Sequence, residues 1–207
     1  MSRGSDRRPS IVFDLGGVLA DWSPGRLYED MIPSPEARAF FFERVCNDAW
    51  LQAINLGRPF NDAIRETQKE FPEFEAEIAA YQTQWGAMIS GLRDGMSGVV
   101  EELLAVGSSL YLFTNHPAET FPISLQRLPL LGKFRGYFVS GAERLAKPDV
   151  AAFRAFESRF YPHLRAPVLI DDEHENVAVG ASIGWTAILF QNAFRLREVL
   201  VSVGLLD

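Results

Sequence analysis

Three short apolar runs in this chain stop on side chains able to do chemistry. Ile11-Val12-Phe13 stops on Asp14, "SLYLFTN" stops on Thr114 and Asn115, and "APVLIDDEHEN" runs through Val168-Leu169-Ile170 into Asp171 and Asp172. A fourth segment, "RLAKPD", sets Lys147 ahead of Pro148 and Asp149, which mark the start of a helix. If the run ends are neighbours, three carboxylates, a hydroxyl and an ammonium meet at one spot. Crowded carboxylates repel, and burying them is costly unless something neutralises them. A divalent cation does so. Oxygen-only ligands suit Mg²⁺ or Ca²⁺, and Mg²⁺ is commonly held by one or two carboxylates together with waters and a substrate phosphate. Lys147 adds a second positive point for a bound anion, and Thr114 adds a hydrogen-bond donor. One carboxylate then remains as a nucleophile, the equipment that in-line phosphoryl transfer requires.

The elements that must carry these residues follow from the same pattern. Ile11–Phe13, Leu110–Phe113, Val168–Ile170 and Thr186–Phe190, with Gly136–Val139 as a weaker fifth, are too short for helices and are bounded by polar residues or glycine. Between them lie helical patterns: "DGMSGVVEELLAVG", "PDVAAFRAFESRF", "ENVAVGASIGW" and "NAFRLREVLVSVG". Strands alternating with helices predict an α/β fold, a doubly wound parallel sheet with helices on both faces. Ligands in such sheets bind outside the carboxyl ends of the strands, where the chemical residues lie. Residues 23–93 break the rhythm. "PSPEARAFFFERVCNDAWLQAI", "FNDAIRETQKEF" and "EFEAEIAAYQTQWGAMIS" read as helices throughout. The expected organisation is a core of 1–22 and 94–207 with a helical insert at 23–93, either a bundle packed on the sheet or a lid over the site.

The 207 residues carry 20 basic and 27 acidic side chains, a formal charge of −7. With no basic excess or stripe, no nucleic-acid partner is expected. Cys46 is the only cysteine, which excludes an internal disulfide and a cysteine-based metal site. The opening "MSRGSDRRPS" reads as a short frayed terminus without the apolar core of a secretory signal. No apolar run approaches the roughly 20 residues of a membrane span, so no membrane partner is expected, and the expected location is cytoplasmic. The phenylalanines of "RAFFFERV" serve either the interior of the insert or an interface.

Taken in order, "FDLGGVL", the helical insert, "LYLFTN", "AKPD" and "VLIDDEHEN" resemble the motifs of the haloacid dehalogenase superfamily over residues 11 to about 190. The pattern is most similar to the branch with a helical cap between the first two motifs, which includes phosphatases of sugar phosphates and other small metabolites. The resemblance implies an aspartyl phosphate on Asp14, phosphoryl oxygens bound by Thr114 with the Asn115 backbone, and Lys147 bridging nucleophile and phosphate. It also implies Mg²⁺ held by Asp14, the backbone carbonyl of Gly16, and Asp172, with Asp171 a direct or water-mediated ligand.

At Gly16 the sequence departs from the pattern. Most phosphatases of the superfamily have a second aspartate there, which protonates the leaving oxygen and then activates water. General acid–base catalysis of this kind is typically worth ~10²–10⁴ in rate. The readings are a Mg²⁺-dependent phosphatase of a small phosphorylated metabolite, a protein that binds a phosphorylated ligand with little or no turnover, and a 2-haloacid dehalogenase, whose branch also lacks the second aspartate but needs no metal. His116, on the loop after Thr114 and Asn115, is a substrate-binding candidate; candidates for the missing acid are His116 itself, since histidine titrates near neutrality, Asp21 past the glycines, and His174 beside Asp172. In the insert, "NDAWLQAINLGRPF" sets Arg58 in a helix-breaking loop as a substrate contact, and Trp50 as a core residue or a stacking surface.

Overall fold

The computed structural model describes residues 8–207. The N-terminal reading therefore falls largely outside the described residues. Among the described residues seven strands are formed: β1 (Ser10–Phe13), β2 (Ala20–Trp22), β3 (Ile89–Leu92), β4 (Ser109–Thr114), β5 (Gly136–Val139), β6 (Val168–Asp171) and β7 (Thr186–Leu189). Five of them make one sheet in the order β5-β4-β1-β6-β7, with every neighbouring pair parallel. The expected parallel sheet is therefore present, and β1 lies at its centre. From β1 the chain first builds towards β4 and β5, then returns to the other side for β6 and β7. The carboxyl ends of β1, β4 and β6 thus lie side by side where the strand order reverses.

Alternation along the strands explains the two buried faces. Ile11, Phe13, Leu110, Leu112, Val168 and Ile170 enter one apolar cluster, while Val12, Tyr111, Phe113 and Leu169 enter a second on the opposite face. Between β1 and β4 lie α1 (Gly25–Met31), α2 (Pro35–Phe40), α3 (Asp48–Asn55), α4 (Phe60–Glu70), α5 (Glu75–Thr83) and α6 (Met96–Ala105). After β4 come α7 (Phe121–Arg127), α8 (Ser140–Glu143), α9 (Val150–Phe160), α10 (His174–Ser182) and α11 (Ala193–Ser202). Helices α6 and α11 cover the first face through Met96, Val99, Val100, Leu103, Leu196 and Leu200. The second face is covered by α9, through Ala152, Phe153 and Phe156. No helix is long and apolar enough to cross a membrane among the described residues.

The stretch read as wholly helical contains one strand. β3 pairs antiparallel with β2 in a two-stranded ribbon whose register shifts between Asp21 and Trp22. Neither partner is a strand signal alone: each is at most four residues long, and β3 contains Gly91. They become strands by pairing with each other, on either side of the helices α1 to α5. The helices α1 to α5 stand beyond this ribbon. Their interior is aromatic: Tyr28, Phe41 and Phe60 are fully buried, and Trp50, Tyr81 and Trp85 nearly so. Phe41 of "RAFFFERV" joins that interior, whereas Phe40 lies on its edge, 43% exposed, against Phe71 and Phe74.

Candidate active site at the carboxyl ends of the strands

The backbone N–H of Asp14 donates to the Ile170 carbonyl at 3.0 Å, which carries the β1–β6 ladder one step further and fixes the carboxylate at the sheet edge. Lys147 Nζ lies 3.0 Å from Asp14 Oδ1 and also contacts Asp171 Oδ2. The lysine and Asp171 side chains are 1% and 0% exposed, and Asp14 keeps 13%. The ammonium also stands 5.3 Å from the centre of the Phe113 ring, a favourable cation–π distance. Burial and the charge of Asp171 push the Asp14 carboxyl up, against the opposing pull of Lys147, to about 7. Burial also raises Asp172.

Lys147 is held from both ends. Its backbone N–H donates to Asn115 Oδ1 at 2.9 Å, and its carbonyl accepts from Asn115 Nδ2 at 2.8 Å. The side chain of Asn115 therefore positions the lysine segment. Downstream, Asp149 caps α9 by accepting from the Ala151 N–H at 2.8 Å, as the "KPD" spacing suggested.

Asp14, Asp171 and Asp172 each bring an oxygen within 4.8 Å of the others. Three carboxylates around one ammonium leave a negative excess that suits a hard divalent cation. Their situations differ. Asp171 Oδ2 meets Lys147, and its Oδ1 accepts from the Glu173 N–H at 3.0 Å and Asn176 Nδ2 at 2.9 Å. Asp171 is thus tied on both oxygens and does not line the cavity, whereas Asp14 and Asp172 do. It holds Lys147 and the start of α10. Asn176, five residues on in the quoted motif, had no role in the sequence reading; its place in the first turn of α10, facing back to the strand end, is the signal that would have found it.

The two glycines after Asp14 differ. Gly17 has φ +75°, and a Cβ there would stand 2.0 Å from Asp172 Oδ2. Only glycine allows both that backbone and that approach. Gly16 has no atom within 4 Å of an added Cβ. Its side-chain position is open space at the cavity wall.

The carboxyl ends of the strands and the helical segment enclose a cavity of about 560 Å³. Asp14, Gly16, Thr114, Asn115, Lys147 and Asp172 form its floor, and Trp22, Leu51, Gln52, Asn55, Trp85 and Ile89 form its roof. The roof residues were not singled out from the sequence. Asn47 caps α3 by accepting from the Trp50 N–H at 2.9 Å, and one turn separates Leu51 from Asn55, which sets both on the same helix face. The roof is pinned to the floor. Ser140 Oγ accepts from the His116 N–H at 2.9 Å and donates to the Asn55 carbonyl at 2.6 Å. The Phe60 N–H donates to Glu119 Oε1 at 3.1 Å.

Several expected contacts are redirected. His116 lines the cavity, but both ring nitrogens are taken: Nδ1 donates to the Pro117 carbonyl at 2.8 Å, and Nε2 accepts from Ser124 Oγ at 2.9 Å. Ser124 in turn accepts from Trp85 Nε1 at 3.1 Å. Burial pushes the His116 imidazole down to about 4, so it stays neutral and has no free nitrogen for acid catalysis or phosphate. Asp21 pairs with Arg26 at 2.5 Å and accepts from Ser90; these hydrogen bonds lower its pKa and keep it ionised, outside the cavity wall. His174 is exposed on the first turn of α10, also outside the wall. Arg58 is turned to Glu66 on α4 at 2.5 Å and does not line the cavity. Trp50 is a core residue whose Nε1 donates to Thr67 at 2.9 Å.

Solved structures share this architecture. An HAD family enzyme from Bacteroides thetaiotaomicron aligns with a TM-score of 0.73 over 93% of this chain and 98% of its own, at 15% identity. The fold is that of the haloacid dehalogenase family. The same enzyme, solved in complex with magnesium and inorganic phosphate, aligns with a TM-score of 0.69 over 89% of this chain and 94% of its own, at 15% identity. L-2-haloacid dehalogenase from Xanthobacter autotrophicus, with chloropropionic acid covalently bound, shares the haloacid dehalogenase fold at 12% identity, with a TM-score of 0.62 over 96% of this chain and 84% of its own. In sequence, the chain is 23% identical over 180 residues to the sesquiterpene phosphatase astK of Aspergillus oryzae (strain ATCC 42149 / RIB 40), covering 86% of this chain and 88% of the relative. No family model matches.

Proposed function

We propose that this chain is a Mg²⁺-dependent phosphatase of a small phosphate monoester that works through an aspartyl phosphate on Asp14. The observation that carries the proposal is the buried Lys147 joining Asp14 to Asp171, beside Asp172 and Thr114, on the floor of one cavity. The phosphatase relative and the magnesium and phosphate complex of the structural neighbour support it. Asp14, Asp172 and the carbonyl of Gly16 would hold the metal, which supplies positive charge against the carboxylates and the phosphoryl oxygens. An Asp14 oxygen attacks phosphorus in line, and the bond from phosphorus to the alcohol oxygen breaks. Lys147 opposes the protonation of Asp14 that burial favours, orients it and attracts the phosphoryl group, while the Thr114 hydroxyl donates to one of its oxygens. With no carboxyl at position 16, the leaving oxygen takes its proton from water. A water molecule then attacks the aspartyl phosphate at phosphorus, frees inorganic phosphate and restores the Asp14 carboxylate.

The test is phosphate release from acetyl phosphate and p-nitrophenyl phosphate, with Mg²⁺, with EDTA, and with Asp14→Asn. The expected result is release that needs Mg²⁺ and falls by at least about 10⁴ in Asp14→Asn, since loss of a covalent nucleophile removes the step itself. Release that persists in EDTA or in Asp14→Asn would sink the proposal. Halide release from 2-haloacids in EDTA would replace it with the dehalogenase reading.

A further inference from the structure

We infer that the alcohol half of the substrate is apolar and uncharged, and lies across Gly16 against the wall formed by Trp22 and Trp85. The inference deepens the phosphatase reading and rests on it. Its first ground is charge. The only cationic side chain lining the cavity among the described residues is Lys147, already shared by two carboxylates. Arg58, the one cation expected from the insert, is bound to Glu66 and faces elsewhere. Glu173 and Glu175 line the same cavity. A second phosphate or a carboxylate on the substrate would find no partner and two more negative neighbours, and an unpaired charge out of water is costly.

The second ground is surface. Trp22 and Trp85 lie 5.5 Å apart, ring centre to ring centre, and Leu51 and Ile89 line the same roof. The indole N–H of Trp85 is spent on Ser124, so this side chain offers the cavity a face rather than a hydrogen bond. Gln52 and Asn55 are the other polar side chains of this roof, fewer than the hydroxyls a sugar or polyol would bury there, and each buried hydroxyl needs a partner to offset its lost water. The third ground is room. The space beside Gly16 that a second aspartate would fill is open and belongs to the cavity, next to the point where the leaving oxygen departs. The volume of about 560 Å³ lies within the ~300–1,000 Å³ of pockets that enclose small organic ligands.

The test compares hexyl phosphate with glucose 6-phosphate, two six-carbon monoesters that differ in the polarity of the alcohol. Binding to Asp14→Asn in Mg²⁺ is followed by tryptophan fluorescence, so it does not depend on turnover. The expected result is at least about tenfold tighter binding of hexyl phosphate, with most of that preference lost in the Trp22→Ala, Asp14→Asn double variant. Equal or weaker binding of hexyl phosphate, or a preference that survives Trp22→Ala, overturns the inference. Acetyl phosphate, which has almost no alcohol half, is assayed in parallel with the unaltered protein. Its Mg²⁺-dependent hydrolysis without a hexyl preference leaves the phosphatase and removes the apolar site. A hexyl preference without hydrolysis of acetyl phosphate keeps the apolar site and removes the phosphatase.

Discussion

The floor and the roof of the cavity differ in how their side chains are held. On the floor, the lysine and the carboxylate behind it are each fixed more than once. Lys147 is gripped through its backbone by Asn115 and through its ammonium by Asp14 and Asp171, and Asp171 is gripped again by Glu173 and Asn176. On the roof, Trp22, Leu51 and Ile89 are placed by packing and by a two-stranded ribbon. The floor therefore offers charge in a fixed place, and the roof offers shape and exclusion of water. Substitutions on the floor should cost stability and chemistry together, and substitutions on the roof should change selectivity.

The sharpest way to break this comparison is Lys147→Met. It strands Asp171 and Asp14 without their counter-charge, and removing one partner of a buried pair costs about 3–5 kcal/mol. Denaturant unfolding in EDTA should show that loss, and a loss below about 1 kcal/mol would mean the floor is wetter than its burial indicates.

Next in size is an acid effect at the seam of the two walls. His116 is neutral when folded and, by burial, titrates at about 4 rather than at its ordinary value of 6.5. The unfolded chain therefore binds a proton that the folded chain refuses between those values, and stability falls as pH drops through that window. The expected loss is roughly 3 kcal/mol, read as the difference in acid unfolding between the protein and His116→Gln. Superimposable acid profiles would contradict it.

The two glycines make a smaller and cleaner contrast. Gly17→Ala should destabilise by about 1–3 kcal/mol and weaken metal binding, because its Cβ would displace Asp172. Gly16→Ala should stay within about 0.5 kcal/mol, since its Cβ meets open space. Equal losses in thermal unfolding would show that position 16 is under a constraint its surroundings do not display.

The smallest effect sharpens the metal reading. Asp14 is held near 7 by burial, so a cation must displace its proton at lower pH. Mg²⁺ affinity should rise by about tenfold per pH unit below that value and level off above it. Calorimetry in buffers of different ionisation enthalpy would detect the released proton, and a flat profile from pH 6 to 8 would remove Asp14 from the ligand set.

Much of the floor was legible in the sequence because each residue sits at a fixed offset from a strand end. Asp14, Thr114, Asp171 and Asp172 follow directly on apolar runs, and Lys147 precedes a marked helix start. Little of the roof was legible. Arg58 looked available because a loop arginine shows no partner in sequence, yet Glu66 lies eight residues on, across the bend between α3 and α4. His116 looked available because a histidine after a strand end shows nothing of Ser124 beneath it or of Trp85 behind Ser124.

Sequence alone determined the parallel α/β sheet, the helical segment after its first strand, and the set of groups at the strand ends. Local periodicity and the side at which a strand terminates are properties of the chain itself. The β2–β3 ribbon, the withdrawal of Asp171 behind Lys147, the different reasons for Gly16 and Gly17, and the choice of Leu51, Trp22 and Trp85 as the roof were decided by tertiary structure. Each depends on which distant segment arrives opposite, and burial, pairing and free space are set by that partner rather than by the residue alone.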